Sequence, residues 1–477
     1  MTCTAESTRE WPSPLKVELY AADWGSATRV VACAYPSRSL APSARSQGTH
    51  VQQAPPTRPK IFYGWWIVTA GFAVQILHSS LLFLSQGAYL IELQAAFGWS
   101  RSNISAALSL LRLESGLLGP LQGWAIDHYG ARPVMRVGTL LFGVGFIALG
   151  QIQSIWQLYA SLAFVAVGSS LGGFLTIHTA IAHWFFRKRA RAMSVVSAGF
   201  ASGAMLAPVV AWTMVEFGWR ATAVGSGIVI LAIGMPASQF FHRSPEDRGM
   251  LPDGELPRTP VPAPAPGAPS GGRSLFGNDL DFTVREAMRD RAFWLIALGH
   301  GTALLVTATI PVHLVPYLVE QNGWQLAATS LVFPAIMVMQ ITGQGIGGVL
   351  GDLYSKRLVA AVAMFGHGGA FILLAFSASV PAVAGAIVLH GLAWGSRGPL
   401  MMAIRADYFG RRNLGIIAGW SNGITLTGSV IGPVYAGVLY DQTGEYNIAF
   451  WTLGVATILS TVFFLAARKP PPPTRVS

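Results

Sequence analysis

From Ile61 onward the chain alternates between apolar runs and short polar breaks. Each run is close to the roughly 20 residues a helix needs to cross a bilayer, so the pattern predicts membrane-spanning helices. Twelve such runs fall at about 63–84, 102–122, 134–151, 155–177, 193–214, 221–240, 292–314, 326–350, 358–377, 381–403, 414–438 and 446–466. The longest interior polar stretch, 242–290, separates the sixth run from the seventh. Its centre, Pro257-Arg-Thr-Pro260-Val-Pro262-Ala-Pro264-Ala-Pro266, favours extended polyproline geometry over a packed core. The expected layout is therefore a polar tail at 1–60, a six-helix half at 61–241, a linker at 242–290, a second six-helix half at 291–467 and a short tail at 468–477.

Composition narrows this picture. Of 477 residues 52% are hydrophobic and 11% charged, where a soluble domain carries about 25% charge. With a mean hydropathy of +0.48, so much apolar surface does not fit inside a water-shielded core. The net charge of +11 could suggest nucleic acid, but the basic residues lie between apolar blocks rather than clustered for a folded binding face, so no nucleic-acid partner is expected. Cys3 and Cys33 both lie in the tail, so neither a disulfide framework nor a metal site is expected in the body. The first 60 residues hold no apolar stretch of signal-peptide type and read as a disordered cytosolic tail.

Lys and Arg in the loops set the orientation, because translocating basic residues is disfavoured. With both termini cytoplasmic, the outer loops carry only Arg101 and Arg220, while Arg112 and Arg397 fall inside spans. All other basic residues then lie on the cytosolic side. The expected location is a bacterial inner membrane, with the lipid bilayer as the chain's principal surroundings.

The chain also repeats itself. Gly98-Trp99 recurs as Gly323-Trp324, Asp127 as Asp352 and Pro208 as Pro433, each 225 residues on. Trp184-Phe185-Phe186-Arg187 and Tyr408-Phe409-Gly410-Arg411 lie 224 apart. The second to fifth helices of one half thus correspond in order to those of the other, which marks a duplicated six-helix unit. Two such units with a substrate site between them is the design of an alternating-access transporter.

After the second helix the chain reads Gly123-Trp-Ala-Ile-Asp127-His-Tyr-Gly130-Ala-Arg132, and in the second copy Gly348-Val-Leu-Gly-Asp352-Leu-Tyr-Ser-Lys356-Arg357. On these motifs, and over about 61–467, the chain resembles the major facilitator superfamily, whose loop pattern is G-x-L-a-D-r-x-G-r-k. His128 and Ala131 replace two basic positions and Ser355 replaces a glycine. Tyr63-Gly-Trp65-Trp66 and Tyr408-Phe409-Gly410-Arg411-Arg412 look like the monocarboxylate and oxalate/formate branch. That branch usually places an arginine eight residues before the second loop aspartate; here Gln344 stands there, with Gln340 a turn earlier. The resemblance implies an all-α membrane protein with twelve transmembrane helices in two pseudo-symmetric six-helix bundles, the major facilitator fold. It also implies a functional monomer with no cofactor, and a cavity lined by the first, fourth, seventh and tenth helices.

Charge inside a span is costly, about 2.5–3.5 kcal/mol at a helix centre, and so marks candidate chemistry. Arg112 and Glu114 lie mid-span in the second helix, two residues apart and on different faces. They read either as an anion contact and a proton carrier, or as members of a buried structural ion-pair network. Arg397, in the tenth helix, is by resemblance the first choice for substrate contact; the other reading has it snorkelling to the cytosolic interface. Histidines at 78, 300, 313, 367 and 390 fall within or beside spans without metal-ligand spacing. His78 and His300 are the candidates for a cavity wall, against a structural hydrogen-bonded role. Gln75, Asn422 and Thr425 could orient a substrate or bond across helices. Asp127 and Arg132, with Gly123 and Gly130, and Asp352 with Lys356 and Arg357, are candidates for gating. There a carboxylate at a helix end accepts freed backbone donors or pairs with arginine when the halves close.

Gly168-Ser-Ser170-Leu-Gly172 and Gly343-Gln-Gly345-Ile-Gly-Gly348 match a nucleophile elbow and a dinucleotide turn by letter only. Both lie within membrane spans and follow no strand, so no enzyme is expected. The expectation is a secondary transporter moving a small organic anion such as a carboxylate together with protons. Proton-driven efflux of an apolar or cationic compound, or a transporter-like solute sensor, is the alternative.

Overall fold

Inside a bilayer every backbone polar group must find its partner within the chain, and a helix does this locally. The computed structural model describes residues 61–100, 103–104, 107–108, 111, 118–254, 281–329 and 331–473, and among them there are helices and no strands. Nine segments among the described residues are long and apolar enough to cross a membrane. We label the helices α1 (Gly64–Phe97), α2 (described part Gly119–Tyr129), α3 (Ala131–Leu149), α4 (Ile155–Trp184), α5 (189–217), α6 (219–238), α7 (Arg291–Gln321), α8 (Val332–Leu353), α9 (Lys356–Phe376), α10 (Val380–Phe409), α11 (Leu414–Thr443) and α12 (Asn447–Ala466). One of the nine segments, Arg189–Ser238, holds both α5 and α6. Its chain turns at Gly218, whose φ of 79° and ψ of 156° are non-helical. Together with α2 and α10 the nine are consistent with the expected twelve.

Local chemistry explains the ends. Ser154 opens α4 with a capping box, its hydroxyl accepting from Gln157 N–H while the Gln157 side chain accepts from Ser154 N–H. Asp290 caps α7 through Ala292 N–H at 2.7 Å. Gly98 (φ 66°) ends α1 and Gly323 (φ 69°) follows α7; Gly218 and Gly444 (φ 75°) end α5 and α11. These left-handed glycines stand at matching places in the two halves of the repeat.

Several helices outrun the hydropathy. Whereas the apolar run predicts an end near residue 84, α1 passes through a π-helical stretch, His78–Phe83, and continues to Phe97. Likewise α4 reaches Trp184 and α10 reaches Phe409. Polar residues such as Gln86, Glu92 and Gln94 lower the hydropathy, but nothing in them breaks a helix. In the other direction α8 begins at Val332, after a separate turn at Leu326–Thr329.

Four clusters of buried side chains form the core. Two draw mainly on residues before 242, and two on residues after 281. The cluster around Ile67, Trp184 and Phe241 also takes in Met402, Ala403, Ala406, Leu414 and Ala418 from α10 and α11. The two parts of the chain therefore pack on each other at the end of the molecule that carries Asp127.

Candidate functional site

At the Asp127 end, two carboxylates each grip the first turn of a helix from the other part of the chain. Asp127, in the last turn of α2, accepts from Gly415 N–H (2.9 Å) and Ile416 N–H (2.8 Å) of α11. Asp352, at the end of α8, accepts from Ala190 N–H (2.9 Å) and Arg191 N–H (3.3 Å) of α5, and Arg191 Nε adds an ion pair at 3.2 Å. A carboxylate there satisfies orphan donors and complements the positive end of the helix dipole. Such an approach needs glycine: a Cβ on Gly123 would overlap the Gly415 carbonyl.

A third contact lies alongside. Arg189 is buried and pairs with Asp407, which also takes Lys356 Nζ at 2.8 Å. Arg189 Nε further donates to Phe185 O at 3.0 Å, and Arg411 donates to His183 O at 3.0 Å. Asp253, with a left-handed φ of 61°, accepts from Phe186, Arg187 and Lys188 N–H and ties 252–254 to the turn before α5. In this state the Asp127 end is closed.

The other gating candidates take different partners. Arg132 donates to Gln239 Oε1 at 3.0 Å, an oxygen it shares with Arg136, while Arg243 reaches the Asp127 main-chain oxygen at 3.2 Å. Gly130 (φ 86°) forms the turn between α2 and α3. Lys356 joins Asp407, and Arg357 donates to Leu465 O at 3.3 Å. Near these arginines, burial and the charges of Arg248 and Arg132 hold the His242 ring below its usual range.

Deeper in α10 is a buried cationic centre. Arg397 is 1% exposed, and its Nε and Nη1 have no hydrogen-bond partner among the described residues. Arg405, eight residues on, is also buried but fully engaged. Its Nε and Nη2 donate to Ser421 Oγ at 3.1 and 2.6 Å, Nη1 donates to Met401 O at 3.2 Å, and Nη2 lies 3.4 Å from His300 Nδ1. No ion pair joins either arginine to a carboxylate among the described residues.

Gln340 and Gln344 lie on the α8 face of the seam with α10, both buried, each with an Oε1 that has no partner among the described residues. The two helices meet backbone to backbone, since a Cβ on Gly395 would overlap the Gln340 carbonyl. Asn422 is half-buried next to Ser421, and its carbonyl accepts from Thr425 Oγ1 at 2.9 Å.

The remaining sequence candidates lie elsewhere. His78 turns into the core of the first part of the chain, with its ring edge-on to Phe142 at 4.7 Å; Gln75 is buried on α1. Arg112 and Glu114 lie outside the described residues. So the structure brings His300, Gln340 and Gln344 to α10, the helix of Arg397, and sets Asn422 next to Ser421 on α11. It adds Arg405 and Ser421, which the sequence reading passed over because Arg405 sits close to the polar end of its span. Two further buried histidines, His367 and His390, meet behind this group at 3.2 Å. His390 precedes Arg397 by seven residues, two helical turns, and that spacing was the available signal.

A match to the model of the Major Facilitator Superfamily covers residues 70–315 and 296–477. Among curated proteins, the chain is 24% identical to human monocarboxylate transporter 2 over 86% of this chain and 87% of that one. It is 26% identical to a probable sulfoacetate transporter of Cupriavidus necator, over 74% of this chain and 86% of that one. It is 24% identical to the hexuronate transporter of Bacillus subtilis, over 73% and 82%. Among solved structures, the E. coli fucose:proton symporter superposes with a TM-score of 0.65 at 12% identity, covering 85% of this chain and 98% of that one. A bacterial homologue of the iron transporter ferroportin, in an outward-facing state, gives 0.65 at 17% identity, over 85% and 99%. These structures share the fold.

Proposed function

Because this chain belongs to the Major Facilitator Superfamily, we propose that it carries a small organic anion, such as a carboxylate, across the bacterial inner membrane by alternating access, drawing on a proton gradient. In this reading the halves 61–241 and 291–467 rock about the buried centre as a monomer, with the Asp127 end and both termini cytoplasmic. Arg397 is the main anion contact; His300, Gln340, Gln344 and Asn422 shape its surroundings, and Gln75 and His78 contribute from α1. Arg112 and Glu114 keep the anion-contact and proton-carrying roles their sequence position suggests. The cytosolic gate is formed by Asp127 and Asp352 with Gly123, Gly130, Arg132, Lys356 and Arg357.

The observation that carries the reading is Arg397. A buried guanidinium with two unmet donors is costly unless a negative ligand completes it. Each nitrogen of Arg405 already has a partner, so among the described residues the unmet cationic donors of the site belong to Arg397. The same two cations disfavour an organic cation as cargo. Monocarboxylate, sulfoacetate and hexuronate, which name three relatives, all present a carboxylate.

Reconstitution in liposomes with a pH dye inside tests this. Under an imposed proton gradient, a panel of small mono- and dicarboxylates is expected to drive substrate-dependent acidification, and Arg397→Ala to abolish it at unchanged yield of folded protein. Folded wild-type protein that responds to no member of the panel overturns the reading.

A further inference from the structure

The seam between α9 and α10 holds a second buried polar pair that the anion site does not use. His367 Nδ1 and His390 Nδ1 lie 3.2 Å apart, with exposures of 0% and 1%. The Nε2 atoms of both rings are buried without a partner among the described residues.

Proton counting shows what this arrangement lacks. Two neutral imidazoles carry two ring protons between them. One occupies the Nδ1···Nδ1 bond. The other then sits on Nε2 of the accepting ring, which leaves a buried N–H without an acceptor and, on the donating ring, a bare Nε2 without a donor. Each unmet group costs about 1–3 kcal/mol. A third proton, on the bare Nε2, would give an imidazolium bonded to an imidazole, a charge-assisted bond stronger than the neutral one, with both Nε2–H groups left as donors.

Burial is the first barrier to a charge at the pair, and charge in the neighbourhood is the next. Arg397 is near enough to act electrostatically on both rings, and among the described residues no carboxylate does so. On α9 itself, Lys356 and Arg357 lie at the far cytosolic end and are engaged with Asp407 and Leu465. From α8, apolar Val332 and Ile336 line a pocket with His390, and Asp352 is occupied at the N-terminus of α5. Asp407 and Arg189 pair with each other. On α7, His300 lies against Arg405, and His313 bonds Pro433 O at 2.9 Å. No ionisable side chain lies on α12. Among the described residues Arg397 is therefore the charged side chain that acts on the pair, and an anion seated on its Nε and Nη1 would offset that charge.

We infer that the His367–His390 pair takes up a proton from solvent when an anion occupies Arg397, so that the two ligands bind as a unit. The inference rests on the anion reading of Arg397. It adds a proton site distinct from Glu114, and it breaks no covalent bond. Linkage makes the coupling reciprocal: the factor by which anion strengthens proton binding is the factor by which the proton strengthens anion binding.

Calorimetric titration of the purified full-length protein with acetate, lactate and oxalate, in buffers of low and high ionisation enthalpy, counts the protons taken up. The expected result is net uptake approaching one proton per anion in wild-type protein, with affinity tightening up to tenfold per unit fall in pH. His367→Gln and His390→Gln are expected to bind the anion without uptake and with a flat pH profile. Where a Gln variant does not fold, Asn at the same position replaces it. Nitrogen shifts of ¹⁵N-histidine in the unsubstituted protein give the protonation state directly, and are expected to move to imidazolium values on anion addition.

Anion binding without proton uptake in wild-type protein overturns the inference while leaving the anion reading intact. Histidine variants that keep the uptake also overturn it, and loss of uptake in Glu114→Gln alone would then place the proton on that carboxylate. Folded wild-type protein that binds none of the three anions overturns the anion reading itself, and this inference with it.

Discussion

Arg397 and Arg405 share one helix, one charge and nearly complete burial, yet differ in what their donors meet. Ser421 supplies the difference, accepting from Arg405 twice. Replacing it with alanine leaves Arg405 with unmet donors, at a cost of about 1–3 kcal/mol. A lowered melting temperature of Ser421→Ala in detergent is the expected result. Among the described residues Arg397 has no such anchor on its Nε and Nη1. Arg397→Gln should leave the melting temperature unchanged or raised, since it removes an uncompensated charge, while weakening carboxylate binding by about 10- to 100-fold, the value of hydrogen bonds to a charged group. An increase in stability accompanied by loss of binding is the signature of a residue kept for its ligand. That Arg397 is a charge within an apolar run was legible in the sequence. That its donors are free was not, because it depends on which carbonyls and hydroxyls of α10 and α11 Arg405 has already taken.

The helices meet at their closest points through glycine. Between α2 and α11 the pair is Gly123 and Gly415, where any added Cβ overlaps backbone. Gly123→Val must push these helices apart and pull Asp127 off its two amides. With Cys3 and Cys33 removed and a single cysteine placed by Ile416→Cys, Gly123→Val is expected to raise labelling by a polar maleimide several-fold over the parent. Hydropathy located these helices because it reports where a segment is apolar, and it misjudged their ends for the same reason. The stretch of α1 beyond residue 84 remains helical while losing its apolar character, and helix propensity, not burial, sets where it stops at Gly98. The 225-residue repeat was the more informative signal. It matched Asp127 to Asp352, and both carboxylates sit on helix N-termini. The Arg189–Asp407 pair, 218 residues apart, had no such signature, because a charge at a helix end names no partner.

Over the whole molecule, closure of the Asp127 end rests on two carboxylate contacts and the ion pairs beside them. The two contacts act on one motion and share no residue, so their effects on closure should add. Asp127→Asn and Asp352→Asn are each expected to shift the balance toward opening by about 1–2 kcal/mol, and the double substitution by about the sum. Distances between spin labels across that end, measured in the single and double variants, check this. A double variant no more open than either single one would mean that the Arg189–Asp407 pair alone limits opening.

Each of these contacts joins a side chain to a backbone, and that asymmetry reaches beyond energetics to inheritance. One codon change removes the carboxylate, but almost no change in the helix it grips removes the amide. The N–H of Ile416 persists whatever side chain stands there, with proline the exception. Drift can therefore rewrite the gripped surface while the grip endures. Two repeated units can thus diverge widely along α5 and α11 without co-evolving across the interface, provided each keeps its aspartate and the glycines at the close contact, such as Gly123 and Gly415.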